Sequence, residues 1–442
     1  MNDIAPLIDH YLAEYARVER ELAGSDASKR VRQAELKAFA EAGFPDTRIE
    51  DWKYTSLRAL EKRRFEISDD AGDLAAHALD EFLPSGLDAY RIVIVDGHFN
   101  PRLSDLDELP EGVTVQSFAA YLNADDDARV KAEEITEQPG SLSAMNAAFA
   151  TDGAYVEIAA NTVVAKPLHV ITLASGGHED RMAQVRHRFV MNQSSEATVI
   201  EHYVGLGDKP YFTNVVTEAV MRQNAQLTRC RVQQESTRGY HVASFFAHQT
   251  RDSRVINHGF DLGGRLARTD TNTRLIEENA EIHLYGVYAP TGRQHMDNHT
   301  RVDHDTQHSV SREIYKGVLA DYGRGVFNGK IIIHKHAQKT DSEQSCDALL
   351  LSDKAEVDAK PELEIYADDV TAAHGSTVGQ LDETAVFYLR SRGVNESGAR
   401  AILTYSFANA LVQKVGIEPV ERFVEAALLA KLPGGENYAD LA

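Results

Sequence analysis

Four histidines and three aspartates fall within fourteen residues, His295-Met-Asp-Asn-His-Thr-Arg-Val-Asp-His-Asp-Thr-Gln-His308. Imidazole and carboxylate together suit zinc or iron, so this cluster is the first candidate for metal-assisted chemistry. Its histidines are spaced by four, five and four residues, which converges on one ion only if the segment is helical. The surroundings read instead as strand and turn. On a strand, His295 and His299 share a face but stand too far apart for one ion. The segment is therefore expected to form a solvated edge of the fold.

The other reactive side chains stand alone. His374 lies between the small residues Ala373 and Gly375, with no second ligand nearby in sequence, so by itself it reads as a structural histidine. Cys346, in Gln344-Ser-Cys-Asp-Ala-Leu-Leu350, reads as a compact, half-buried thiol on a strand, and Cys230 as a core residue on an alternating strand. Gly323-Arg-Gly-Val-Phe-Asn-Gly329 and the stretch from Gly259 to Gly264 lack Gly-Lys-Ser/Thr and a following helix, so neither is a phosphate loop. Any nucleotide chemistry must belong to a partner. No Ser-His-Asp order, nucleophile elbow, catalytic carboxylate pair or zinc box is present, and the chain reads as a non-enzyme.

At 442 residues, two or three domains or one elongated repetitive body are expected. The net charge of −22, with no basic stripe to offset it, disfavours nucleic acid and anionic membranes as partners. Two cysteines without paired spacing point to a reducing compartment. The first residues lack a signal-peptide pattern, and no apolar run approaches the roughly 20 residues that span a bilayer. A soluble, cytoplasmic protein is expected.

Three regions must position these residues. Apolar residues at Leu7, Ile8, Tyr11, Leu12, Tyr15, Val18 and Leu22 form one helical stripe from Ile4 onward. Gly24-Ser-Asp breaks it, a second helix runs to Ala42 before Gly43 and Pro45, and a third begins near Glu50, with the single tryptophan, Trp52, as its packing anchor. Arg91 to Gly97 is the first clear strand, and an acidic helical stretch follows around Asp125 to Glu134. From Ala154 to about Val378, short alternating segments dominate, among them Tyr155 to Ile158, Val185 to Val190, Thr198 to Tyr203, Val215 to Val220, Leu227 to Val232 and Ile282 to Tyr285. Without intervening helices they exclude a doubly wound α/β sheet, leaving a sandwich, a barrel or a β-solenoid. Irregular gaps and few two-residue turns lean toward the solenoid, although no strict period supports it.

Beyond Asp382 the helical period returns. Asn395 caps a helix through Ala401, Ile402, Tyr405, Ala408, Leu411 and Val415, and a second helix runs from about Pro419 to Leu432. Leu403, Phe407 and Ala410 widen the first helix's apolar surface, so it needs a second partner, expected to be another protein.

Four blocks carry a further reading: Arg48-Ile-Glu-Asp-Trp-Lys-Tyr-Thr-Ser-Leu57, Met145-Asn-Ala-Ala-Phe-Ala-Thr-Asp-Gly-Ala-Tyr-Val156, Gly325-Val-Phe-Asn-Gly-Lys330, and Pro361-Glu-Leu-Glu-Ile-Tyr-Ala-Asp-Asp-Val-Thr-Ala-Ala-His-Gly-Ser-Thr-Val-Gly379 with Phe387-Tyr-Leu-Arg-Ser-Arg-Gly393. In this order they resemble the SufB/SufD family, scaffold subunits of the Suf iron–sulfur cluster assembly machine, and most closely its SufD branch. The resemblance implies a mainly β protein, a right-handed parallel β-helix flanked by N-terminal and C-terminal α-helical domains. Its regions would be 1–85, helical; 86–380, the β-helix core with an irregular lead-in to about residue 153; and 381–442, helical and binding the partner ATPase.

The resemblance implies partners and roles as well. The β-helix end would pair with SufB, and the C-terminal helices, with Tyr405, Phe407, Arg390 and Arg392, would bind the SufC ATPase. His374 would face SufB as a metal ligand or proton-transfer group where a transient iron–sulfur cluster forms. Relatives often carry a cysteine two residues before this histidine; here that position is Ala372, so no thiolate comes from this segment. Cys346 lies in a segment like the SufB stretch whose cysteine takes part in assembly. The family pattern in the histidine cluster matches Gln294, Asp297, Thr300 and His304, which makes His295, His299 and His308 incidental. No tightly bound cofactor is expected of the isolated chain; reduced flavin is associated with the complex at a site no residue here identifies. The resemblance also allows a homodimer of the isolated chain. A β-helix metalloenzyme or polysaccharide-acting enzyme using the His295 to His308 cluster is the rival reading.

Overall fold

The computed structural model describes residues 4–72, 74–123 and 140–432. The acidic stretch expected to be helical around Asp125 to Glu134 lies outside the described residues.

From Ala154 onward the chain winds as a β-solenoid. Successive strands alternate between two ten-stranded sheets, and between the two ends each pairs in parallel with the strands one coil before and one coil after it. One sheet ends with the strands His295–His304, Arg324–Ile333 and Glu356–Ile365; the other ends with Val310–Leu319, Asp341–Leu350 and Thr371–Gly379. All six alternating segments read from the sequence are strands here. Parallel pairing at a distance of one coil rules out the sandwich and the barrel.

Coil length varies, which hides the repeat. Tyr240 pairs with Leu266, 26 positions on, whereas Arg324 pairs with Glu356, 32 positions on. One corner nevertheless recurs in six successive coils as a single residue in the left-handed region: Ser194, Asn224, Asp252, Asn279, His308 and Lys339 have φ of 56 to 62°. Asn and Asp tolerate that conformation because their side chains bond locally, and they hold half of these corners.

The N-terminal helices Ile4–Val18 and Asp26–Ala42 form as expected, the second capped by Ser25 and stopped by Gly43 at φ 67°. The third is shorter than expected, a 3-10 turn over Glu50–Trp52 and one helical turn over Arg58–Glu61. Tyr11, Tyr15 and Phe39 bury against Phe149 of the helix Ser141–Phe149. That helix is pinned to the solenoid by Asn146, which donates to the carbonyls of Val185 at 2.9 Å and Asn214 at 3.0 Å. Tyr90–Val95 extends one sheet, and Val113–Ser117 lies antiparallel to Ala154–Ile158.

At the other end, helices Glu383–Ser391, Glu396–Val412 and Glu418–Lys431 begin at caps from Asp382 and Asn395 and at Pro419 in the first turn. The two-faced helix Glu396–Val412 packs one of its faces against the solenoid of its own chain. Ala408, Leu411 and Val412 share a core with Ile200, Cys230, Val232, Phe260, Leu262 and Val287 on the outer face of one solenoid sheet. That face is apolar, and the helices cover it. Among the described residues no helix is long and apolar enough to cross a membrane.

Candidate functional site

Both sheets stop at the same end, and their last strands, Glu356–Ile365 and Thr371–Gly379, are each paired along one edge. An unpaired edge presents a row of free N–H and C=O groups, a template for another chain. Around it stand exposed apolar residues that a finished surface would avoid: Ile365 at 44 %, Tyr366 at 60 % and Val378 at 48 % exposure.

His374 lies in the middle of this last strand and is exposed. In register it opposes Gln344, which in turn opposes Glu313 one coil deeper. Opposed residues of parallel strands share a face, and Gln344 and Glu313 are buried inside the solenoid. His374 is thus the outermost rung of an inward-facing column at the mouth of the lumen. Among the described residues no group of three His, Cys, Asp or Glu side chains could hold a metal ion, so His374 offers a single nitrogen. Ala372, two residues earlier, opposes Ser342 and brings no sulfur.

Beneath the mouth, the Glu313 carboxylate accepts from Thr300 Oγ1 at 2.7 Å and from Gln344 Nε2 at 3.0 Å. Burial pushes its pKa up to about 7 despite those two donors. Gly329 on the facing sheet makes room: a Cβ there would stand 2.3 Å from Gln344 Nε2. Cys346 opposes Ser376 of the last strand and is fully buried, not half-buried as its sequence suggests. Its Sγ lies 3.8 Å from the Tyr288 hydroxyl, and burial pushes the thiol up to about 12. Cys230 is a core residue as expected, enclosed under the C-terminal helices and pushed up to about 12 by burial.

The histidine cluster is a strand, as read from the sequence, but it is not a solvated edge. His304 points into the lumen, where its ring nitrogens lie 2.7 Å from Ser309 Oγ and 2.9 Å from Ser311 Oγ. His295, Asp297 and His299 face the opposite way, under the N-terminal segment. Thr55 Oγ1 donates to Asp297 Oδ2 at 2.5 Å and accepts from His295 Nε2 at 2.7 Å, while His299 Nε2 reaches Asp297 Oδ1 at 3.0 Å. Arg268 bonds Asp297 Oδ2 at 2.9 Å and the Asp51 carbonyl at 2.7 Å, and its guanidinium stacks 3.7 Å from the Trp52 ring centroid. His295 and His299 are therefore not incidental, and Trp52 anchors the N-terminal segment to the solenoid instead of packing a third helix. His308 alone is a surface corner. The strand's alternation sends the histidines to opposite faces, which breaks up the metal cluster.

The C-terminal candidates are already engaged within the chain. The Tyr405 hydroxyl bonds Glu425, and Lys316 Nζ donates 2.8 Å to the Phe407 carbonyl from 4.5 Å above its ring centroid. Arg390 pairs with Glu396 at 3.4 Å, and Arg392 lies 3.3 Å from the Tyr388 hydroxyl. Phe387, 69 % exposed, and Tyr388, 58 %, are exposed aromatics of the helix Glu383–Ser391. The sequence signal for them was adjacency: two successive aromatics on a short helix whose buried residue is Val386.

Comparison with known proteins matches residues 172–407 to the SUF system FeS cluster assembly SufBD core domain, and residues 1–170 to the SufBD protein N-terminal region. The chain is 34 % identical to the iron–sulfur cluster assembly protein SufD of Escherichia coli, over 93 % of this chain and 95 % of that one. It is 30 % identical to an iron–sulfur cluster assembly SufBD family protein of Synechocystis sp. over 88 % of each chain, and 28 % identical to SufD of Bacillus subtilis over 66 % of this chain and 67 % of that one. The chain belongs to the SufBD family of iron–sulfur cluster assembly proteins.

Proposed function

We propose that this chain is a non-catalytic scaffold subunit of a Suf iron–sulfur cluster assembly complex, with SufB at the open end of its solenoid and the SufC ATPase at its C-terminal helices. The observation that carries the reading is the shared end of the two sheets, where two strands with a free edge, apolar side chains and His374 lie together. A β-helix of like cross-section could continue both sheets across that edge by main-chain pairing. His374 then lies inside the joint. Imidazole is a ligand for borderline metals such as iron and can also carry a proton, so it suits the iron and sulfide from which a cluster assembles. The cluster is cargo, completed by groups from the facing subunit. For SufC, the exposed Phe387 and Tyr388 beside Arg390 and Arg392 offer aromatic and cationic contacts of the kind that dominate interfaces. Two free cysteines and the acidic balance fit a reducing, cytoplasmic setting.

Co-expression with SufB and SufC tests this. The three chains should purify together, and Ser376→Pro, which removes a main-chain donor from the free edge of the last strand, should release SufB while SufC stays bound. Release of SufC by that substitution, or full retention of SufB, would count against the arrangement.

A further inference from the structure

Deeper in the lumen, buried arginines pair with carboxylates. Arg229 makes two bonds of 2.7 Å to Glu201, and Arg231 bonds Asp261 at 2.7 and 3.0 Å. The rung below His374 differs. Gln344 is 1 % exposed, and its Nε2 is committed to Glu313, which Thr300 holds in place. The amide oxygen, Gln344 Oε1, is buried and has no partner among the described residues. With Nε2 fixed on Glu313, Oε1 is turned away from it. Across the ladder on the last strand, one spacing of about 4.8 Å away and on the same face, stands His374.

We propose that Gln344 is the positioning residue for His374: Gln344 Oε1 accepts the N–H of one imidazole nitrogen and so presents the other, unprotonated, to a borderline metal cation at the mouth. A neutral imidazole carries one donor and one acceptor nitrogen, and the hydrogen bond at one decides the role of the other. Metal-bound histidines are commonly held in this way by a second group. Glu313 contributes by anchoring the amide, and Gly329 by leaving it room. A buried carbonyl oxygen left without a donor is unfavourable, and this bond supplies the donor. The inference rests on His374 being the interface group proposed above, but its first test does not involve the complex.

The full chain is labelled with 15N-histidine and recorded at a pH where exposed imidazole is neutral, with the His374 signals identified by their loss in His374→Gln. One nitrogen of the parent should resonate as a protonated, pyrrole-type nitrogen and the other as a bare, pyridine-type nitrogen. In Gln344→Met, and independently in the polar but shorter Gln344→Asn, the two should converge as the tautomers exchange. Glu313→Gln keeps an acceptor for the Gln344 amide and should retain the parent pattern. A parent that already shows converged signals, or Gln344 variants that keep the parent split, would overturn the proposal. In the assembled complex, Gln344→Met should then lower iron loading toward the His374→Ala level. Normal loading by His374→Ala would refute the role of the site, while the nitrogen spectra would still decide that of Gln344.

Discussion

Thr55 Oγ1 sits 2.5 Å from Asp297 Oδ2 and 2.7 Å from His295 Nε2, one hydroxyl joining the N-terminal segment to the flank of the solenoid. Its single proton goes to the carboxylate and its lone pair takes the imidazole N–H, so each group has one role. Burial alone would raise the Asp297 pKa, but His299, Arg268 and His295 outweigh it and hold the carboxyl well below the usual carboxylate range.

Thr55→Val keeps the shape and removes both bonds, stranding buried polar groups on Asp297 and His295. It should lower stability by about 1–3 kcal/mol. Thr55→Ser should recover most of the loss. Thermal unfolding of the three proteins checks this, and equal midpoints for parent and valine variant would mean that the hydroxyl does not hold the segment down.

Glu313 gives the solenoid a pH dependence of the opposite sense to that of a salt-bridged carboxylate. Burial raises its folded pKa from 4.5 to about 7, so the native chain binds the proton more tightly than the unfolded chain. Its contribution is full below the unfolded value and is lost as pH rises toward the folded one. At about 1.36 kcal/mol per unit, the loss approaches roughly 3 kcal/mol. Glu313→Gln should abolish that slope. Urea unfolding at about pH 5 and about pH 8 should show the variant gaining on the parent at the higher pH, and parallel behaviour of the two would refute a raised Glu313.

The C-terminal helices should not be removable without penalty. Truncation at Arg392 would uncover Ile200, Cys230, Val232, Phe260, Leu262 and Val287, an apolar face that water does not tolerate. The truncated chain should bind a hydrophobic dye strongly and aggregate. A monodisperse, dye-silent product would show that the helices are a separable unit.

Much of this architecture was legible because it follows local rules. Ser25, Asp382 and Asn395 cap helices, Gly43 stops one, and the alternating segments are strands. The four family blocks also fall at seams: Trp52 and Thr55 under Arg268 and Asp297, Asn146 on two strand carbonyls, Gly329 beside Gln344, and His374 at the mouth. The parts that were not legible depend on what lies opposite. Alternation places His304 and His295 on different faces, yet nothing local says that the lumen takes one and the N-terminal segment the other. Nor does the outer face of a strand announce that the chain's own C-terminal helices will cover it.

Both thiols should be silent in the native chain. Cys230 and Cys346 are buried, and burial pushes each to about 12, so almost no thiolate exists at neutral pH. Reaction with a thiol reagent should be at least about 100-fold slower than for a free cysteine, and complete in denaturant. One thiol that reacts at the free rate, absent in Cys346→Ser, would show that the mouth opens and brings Cys346 within reach of solvent.

His374 carries the sharpest test of function. It is exposed at the mouth, has no ligand set around it among the described residues, and sits on the edge strand through which the complex would form. Alanine cannot bind iron or carry a proton, yet it fits an exposed strand position without overpacking it. His374→Ala should leave co-purification with SufB and SufC intact but lower the cluster content reached on anaerobic reconstitution with iron, a sulfur donor and ATP. The iron-to-protein ratio and the visible absorption of the cluster measure the effect. An alanine complex that fills as fast and as fully as the parent would leave this imidazole as the plain cap of a stack, and Cys346→Ser would become the next substitution to make.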